Sequence, residues 1–356
     1  MLRNYLKIAL RNVQRYKGFA LINVLGLALS MAVCLLIILF IRDQKSYDDF
    51  HANGDRMYRI YSDYKSSSNR DNKIYATSPA VLAEVLRTEV PGVEAAIHLR
   101  RGFSGIVSHQ GNSLRLFGFY ADPSFFDFFS FELAQGNART ALTAPNSVIL
   151  SPEAATKFFG GADPMGQVLT IPEQGDFTVT GVLAPGNDKT HLPLDAITSM
   201  ATLTQSAEGR KVLSDWTWNI SRSYTYVLLE EGAAPEMLEA RFPGIIKRHF
   251  EPRNDFVLPG LRVESLSDIN LGRFKGNEVG IVLPNIVAYF LLALASVLML
   301  VACFNYVNLT VARALKRARE VGVRKVVGAR RSQIVVQFLV ETVLVAFLGL
   351  APIPFK

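Results

Sequence analysis

The chain has 356 residues, 49% of them hydrophobic and 19% charged, with a formal net charge of +7. Its apolar residues are concentrated: Gly18–Ile41 runs twenty-four residues without Asp, Glu, Lys or Arg, and Val279–Ala312 runs thirty-four. A purely soluble chain is excluded, because about 20 apolar residues suffice to cross a bilayer core and buried helices are usually shorter.

The positive charge is also concentrated. Residues 1–18 hold five Lys/Arg and no acid, and residues 313–331 hold eight Lys/Arg and one acid, Glu320. Removing these two blocks, net +5 and +7, leaves −5; Glu341 and Lys356 cancel, so the −5 belongs to residues 42–283. The basicity is therefore a matter of membrane topology, with no nucleic-acid footprint needed to explain it. Lys/Arg-rich short loops stay in the cytoplasm. This places the N-terminus and 310–331 inside and the large middle domain outside, in a multi-pass protein of the inner (plasma) membrane. Both cysteines, Cys34 and Cys303, lie in apolar segments, so the outside domain must be stable without disulfides.

In chain order, residues 1–18 repeat Arg3, Lys7, Arg11 and Arg15 every fourth position, with Leu2, Leu6, Leu10 and Val13 on a neighbouring face. This pattern predicts an amphipathic helix on the inner lipid surface. Residues 19–41 form the first span. The stretch is too long for a cleaved signal peptide, and "LLIILFI" continues past Cys34, which argues against lipoprotein processing there. In the outside domain, 42–283, "RMYRIYSDY" alternates as a strand. "SPAVLAEVLRTEVPG" reads as a helix with Ser78 as its cap and Pro91-Gly92 as its stop, and "VEAAIHLRRGF" as a strand. The same order returns in "RSYTYVLLE", a helix in "APEMLEARFPGIIKRHF" bent at Pro243, and "GLRVESL". Between these two strand–helix–strand units lies a mainly β lobe: "LRLFGFYAD", "SVILS", a short helix from Pro152 to Phe159, "GQVLTI" and "DFTVTGVLA". The fold class is thus transmembrane α-helices flanking a large α+β domain. The second span covers 284–309, the cytoplasmic loop 310–331, and a third apolar segment 332–351, followed by a short end at 352–356.

No catalytic constellation emerges. The five histidines, His51, His98, His109, His191 and His249, show no metal-binding spacing, and no cofactor is expected to bind directly. "GADPMGQV" has phosphate-loop glycines at Gly161 and Gly166, but Gln167 and Val168 replace the required Lys and Ser/Thr, so it reads as a turn. The aromatic cluster Phe125–Phe131 reads as core. Glu341, the single acid in the third apolar segment, is a functional candidate inside the membrane or an interfacial group.

The loop carries the strongest pattern. Glu320 precedes Arg324 by one helical turn, Gly328 reads as the end of that helix and Ser332 as the cap of the next. "RAREVGVRKVVGARRSQIVVQFLVE" resembles the hallmark of FtsX/MacB-type ABC transporter permeases. The resemblance covers Arg317, Glu320, Val321, Gly322, Arg324, Lys325, Gly328, Ala329 and, further on, Gln337, Phe338, Leu339 and Glu341. "LKIALRNVQRYKGFALINVLGLALS" is similar to the entry to that family's first span. "DPSFFDFFSFELAQGN", "SVILSPEAATKFFGGADPMGQ" and "FTVTGVLAPGNDKTHLPLD" resemble its MacB-like periplasmic core domain.

The resemblance implies a non-catalytic membrane subunit. Its ATP is hydrolysed by a cytoplasmic ABC ATPase that pushes on the loop residues Arg317–Ala329, and the movement is passed to the outside domain. It further implies a second permease copy or half, a periplasmic adaptor or substrate, and contact with membrane lipids. The family has at least four spans, whereas this sequence stops in or just after its third apolar segment, so a short or truncated form is expected. The alternative is a transmembrane sensor with a ligand-binding outside domain. A sensor would continue into a long cytoplasmic linker, whereas here a short basic loop re-enters apolar sequence.

Overall fold

The alternating aromatic run does form a strand, β1 (Met57–Ser66), and three other strands pair with it. The computed structural model describes residues 17–66, 69–109, 112–172, 174–186, 189–214, 216, 222–250, 257–316, 322–323, 326, 328 and 336. They belong to two compact units, Gln44–Asn285 and Met1–Asp43 with Ile286–Lys356.

The first lobe of the Gln44–Asn285 unit is built from the two predicted strand–helix–strand units. One is β1, the helix Leu82–Glu89 and β3 (Val93–His109); the other is β10 (Ser223–Leu229), the helix Pro235–His249 and β11 (Val257–Ser265). The strands lie in the order β11-β1-β10-β3, each antiparallel to its neighbour. Numbered within the lobe, this is the 4-1-3-2 order of a split βαβ sandwich. Both helices cover one sheet face, burying Leu82, Leu86, Leu238, Phe242 and Ile245 against Ile60, Val227 and Leu261. A further strand, β2 (Asn69–Tyr75), pairs with β1. Ser78 is not the helix cap the sequence suggests. The helix begins at Leu82, and the buried Ser78 hydroxyl donates to Thr225 Oγ1 at 2.8 Å, tying the turn to β10.

The inserted lobe holds β4 (Asn112–Ala121), β5 (Leu133–Gly136), β6 (Ser147–Leu150), β7 (Val168–Ile171), β8 (Gly175–Leu183) and β9 (Ala196–Ser199). Pairing runs β3-β4-β9-β6-β8-β7 and returns to β3 through Ser108↔Thr170, which closes a ring. Phe103, Val107, Leu116, Leu169, Phe177 and Val179 form a core with the helix Pro152–Phe159. That helix starts where predicted: the Ser151 hydroxyl accepts from the Ala154 N–H, and Pro152 occupies the first turn. The phosphate-loop look-alike is a turn, with Gly166 at φ +74° leading into β7.

β3 joins the lobes. Its first half pairs with β10 and its second with β4, and the register slips between Arg101 and Phe103. Gly102, at φ +142°, is the extra residue of this bulge, which bends the long strand from one lobe into the other. The sheet face opposite the helices carries Phe125, Phe128, Phe129 and Phe131 with Ile97, Leu99, Tyr224 and Tyr226, so the phenylalanine cluster is core.

In the other unit, the helices Lys17–Lys45 and Asn285–Lys316 each contain a stretch long and apolar enough to cross a membrane, Val24–Lys45 and Asn285–Asn308. The second helix runs on through Lys316, into the basic segment 310–331 read from sequence as a loop with a helical pattern. The Cys34 thiol lies 3.3 Å from the Ala295 carbonyl, and Gly26 faces Asn305, so the helices pack antiparallel. Ala288, Ala295 and Ala302 are buried at seven-residue intervals, the small-residue seam that allows close packing without a hydrophobic driving force. The amphipathic helix expected over 1–18 and most of the third apolar segment lie outside the described residues.

Gly118 on β4 approaches the Ala196 backbone so closely that a Cβ would overlap its carbonyl. Gly118→Val is expected to break the β4–β9 pairing and destabilise the outside domain by about 3 kcal/mol. Thermal unfolding of the detergent-solubilised chain measures this.

Candidate functional site

The Gln44–Asn285 unit receives the chain from one apolar helix and returns it to the other. Both connections are fastened to the sheet face opposite its helices by buried charge.

The returning connection is anchored on Arg59 of β1, which is fully buried. Strand alternation turns Met57, Arg59 and Tyr61 to this face, and register sets Arg59 directly opposite Glu264 on β11. Arg59 Nη2 donates to Glu264 Oε2 at 2.7 Å, and Nη1 donates to Glu278 Oε2 at 2.8 Å. Lys275, 3% exposed, donates to Glu264 Oε1, lies 3.9 Å from Glu278 and sits over the Tyr61 ring. Two cations thus face two carboxylates in a neutral quartet. Burial opposes the Arg59 charge, but Glu264 and Glu278 outweigh it and hold the guanidinium protonated well above its usual range. Glu278 and Lys275 belong to the segment after β11. That segment closes on itself through Leu283 N–H to Asn270 O and Asn285 N–H to Gly272 O, both 2.9 Å, as an Ω-shaped loop. Arg101 and Tyr224 donate to the carbonyls of Glu278 and Asn277.

The entering connection is anchored on Asp48, whose φ of +64° lies in the left-handed region. Its buried carboxylate accepts from Thr190 Oγ1 at 2.6 Å, from the His191 N–H at 3.2 Å and from His191 Nδ1 at 2.8 Å. His51 Nε2 lies 3.7 Å away, with its ring among Phe50, Phe129 and Phe131. Burial alone would raise the Asp48 pKa. His191 and the hydrogen bonds from His191, His51 and Thr190 prevail and hold it well below the usual carboxylate range. His191 Nδ1 faces the Asp48 carboxylate and its Nε2 lies 2.8 Å from the Tyr226 hydroxyl, so the ring bridges the two. Burial, first, pushes the Tyr226 pKa far upward, so its phenol stays protonated. Although an Asp–His–Tyr chain resembles proton-transfer machinery, its hydroxyl end is fully buried, and the arrangement fixes position.

The two anchors meet. Tyr226 is directly opposite Arg59 in register, so Glu278, Glu264, Arg59, Tyr226, His191 and Asp48 form one polar layer across β11, β1 and β10. Asn270 Nδ2 adds a direct tie between the connections, donating to the Gln44 carbonyl at 2.9 Å. Beside this layer, Tyr47, Phe131, Lys157, Leu192, Val279 and Ile281 line a half-open groove of ≈ 740 Å³ that touches both connections.

None of these residues was singled out in the sequence as a site. Asp48, His51 and His191 have no sequence spacing that marks them, and only the fold brings them together. Of the residues the sequence did single out, Gly322 is helical and Gly328 sits in a turn at φ +99°. Arg317, Glu320, Val321, Arg324, Lys325, Ala329 and Glu341 lie outside the described residues.

A domain fastened at both ends, between two helices fit to span a membrane, defines a membrane-anchored protein whose α+β domain is held by its connections. Residues 20–245 match the MacB-like periplasmic core domain and residues 292–352 the FtsX-like permease C-terminal domain, and the chain belongs to this family of permeases. It is 25% identical over 319 residues to the macrolide export ATP-binding/permease protein MacB of Syntrophobacter fumaroxidans, covering 75% of this chain and 43% of that protein. Against the MacB protein of Neisseria gonorrhoeae the identity is 20% over 348 residues, covering 96% of this chain and 50% of the relative. The chain thus spans half or less of the length of these curated relatives. A crystal structure of a domain described as from a permease protein of Porphyromonas gingivalis shares the fold, with a TM-score of 0.52 and 20% identity over 67% of this chain and 98% of that one.

Removing one partner of a buried ion cluster leaves the other charge uncompensated, at a cost of about 3 kcal/mol or more. Glu278→Gln is therefore expected to raise hydrogen exchange over 266–283 before the rest of the domain, and Asp48→Ala to do so over 44–52. The Asp48 contribution also has a pH signature. The unfolded carboxyl takes up a proton near its ordinary value of about 3.9, above the folded one. This stabilisation is thus complete above about pH 4 and is lost as pH falls through the depressed folded pKa. Unfolding followed across pH 7 to 2 in wild type and Asp48→Ala should converge only at the acid end.

Proposed function

We propose that this chain is the permease part of an ABC transporter of the mechanotransmission type. ATP hydrolysis by a cytoplasmic ABC ATPase partner displaces the basic segment after the second span, and the two connections carry the displacement to the outside domain. In this reading the chain has no catalytic site and binds no cofactor itself. It works in the inner membrane beside a second permease copy or half, with the N-terminus and the basic segment in the cytoplasm. It serves export or the handling of lipoproteins, peptides or antibiotics with a periplasmic adaptor or substrate. The names of its relatives, export ATP-binding/permease proteins, agree with such a role.

The observation that carries the reading is the double anchorage. A domain hung on flexible linkers would absorb any movement of its spans, because local opening of weakly held segments is nearly free. Here both connections enter one buried polar layer, so a shift in either span strains the sheet itself. The helix Asn285–Lys316 is continuous, about 48 Å of stiff rod at 1.5 Å per residue. Beyond it, Val323 and Val326 are helical and 59% and 88% exposed, one turn apart, an apolar strip that a partner would cover. We assign Arg317, Glu320, Val321, Gly322, Arg324, Lys325, Gly328 and Ala329 to ATPase contact, and Glu341 to a polar contact within the membrane bundle.

The test is affinity purification from native membranes, with co-purifying proteins identified by mass spectrometry. An ABC ATPase is expected with the wild type and at least about tenfold less with Glu320→Lys, the effect of losing one charge-assisted contact. Gly328→Pro should act similarly. An ATPase retained equally by both variants would refute the assigned contact, and none with the wild type would refute the permease reading.

A further inference from the structure

The charges of the anchoring layer balance; those on the opposite sheet face do not. Arg100 on β3 is 6% exposed, yet its one hydrogen bond among the described residues is a long one to a neutral group, Ser223 Oγ at 3.3 Å. Among the described residues no carboxylate pairs with it. Across the strand pair stands Tyr120, whose hydroxyl donates instead to Gln174. Asp122, just past β4, accepts from the His98 backbone N–H.

What does lie near Arg100 is more positive charge. Burial, first, and then Arg222 pull the Arg100 pKa down to about 10, which still leaves it protonated at neutral pH. Arg222 sits beside the side-chain-free Gly102, where a Cβ would lie 3.6 Å from its Nη1. His98, two residues along the same strand face, is 6% exposed, and its Nε2 has no partner. Burial and then Arg100 lower its pKa to about 3, so it stays neutral.

A buried guanidinium without an anion is costly, and a second cation nearby adds repulsion. A fork of N–H donors beside a second arginine is the geometry that binds planar or tetrahedral oxyanions. We propose that Arg100 and Arg222, at the β3 bulge where the two lobes join, form a binding site for a small oxyanion, a phosphate or carboxylate group, supplied from outside the chain. His98 lies beside it as a further polar group. Occupancy would brace the bulge that sets the angle between the lobes. This site uses none of the residues on which the permease reading rests, so the two stand or fall separately.

The experiment is thermal unfolding of the full chain in an uncharged detergent, titrated with inorganic phosphate or acetate against chloride at constant ionic strength. Phosphate is expected to raise the midpoint in the wild type. Arg222→Gln, an exposed position, should weaken the apparent affinity about tenfold, and Arg100→Met should abolish the response. The anion-free Arg100→Met chain should be no less stable than wild type, since it loses an uncompensated buried charge. A response to phosphate with acetate inert assigns a phosphoryl ligand, one to acetate with phosphate inert a carboxylate, and a response to both a site that takes either oxyanion. The proposal is overturned if neither anion acts beyond chloride, or if Arg222→Gln and Arg100→Met both respond as the wild type does.

Discussion

Arg59 cannot be buried alone. A guanidinium at zero exposure in the middle of a sheet requires carboxylates on both sides, and it draws them from two places: Glu264, fixed opposite it by strand register, and Glu278, thirteen residues beyond the end of β11. The second demand gives the segment after β11 a determined course. Lys275 then enters to balance the second carboxylate, the loop 270–285 closes, and the chain departs for the next helix from a defined point. Apolar residues of similar volume would give comparable stability, since buried ion clusters seldom win on energy. What they supply here is direction, because a cluster satisfied in one geometry rejects its alternatives.

The same logic governs the entering connection with different groups. Asp48 reads its position through three donors from the 189–191 segment, which belongs to the inserted lobe, while His191 reaches Tyr226 of β10 in the first lobe. One connection is therefore registered against both lobes at once. The bulge at Gly102 and the closed ring of β3, β4, β9, β6, β8 and β7 make those lobes a single body. Both connections, at Gln44 and at Asn285, lead into segments pinned to the sheet by the buried polar layer. Such stiffness is what the proposed mechanism would require of the domain.

The opposite sheet face follows another rule. There the helices supply apolar cover, and the buried polar residues include Ser78, Thr225, His98 and Arg100. The hydroxyls satisfy each other, whereas the arginine is left with a single weak partner.

The sequence by itself determined whatever depends on local pattern. Runs of uncharged residues marked the two spans, Lys/Arg asymmetry gave an expected orientation, and period-two and helical repeats marked the two strand–helix–strand units and the Pro152–Phe159 helix. The family motif around Gly322 and Gly328 was legible for the same reason. β9 was not, because "AITS" is buried at every position and shows no alternation. Ser78 looked like a cap because its neighbours fit a helix start, and only β10 passing alongside offered its hydroxyl a better partner. The anchoring layer was the least legible of all. Asp48 and His191 are separated by 143 residues, and Arg59 and Glu278 by 219. Each is an ordinary polar residue until strand register and a loop closure bring it into a medium too poor in water to leave it unpaired. That decision belongs to the tertiary structure, because desolvation is a property of the assembled fold and no stretch of chain carries it alone.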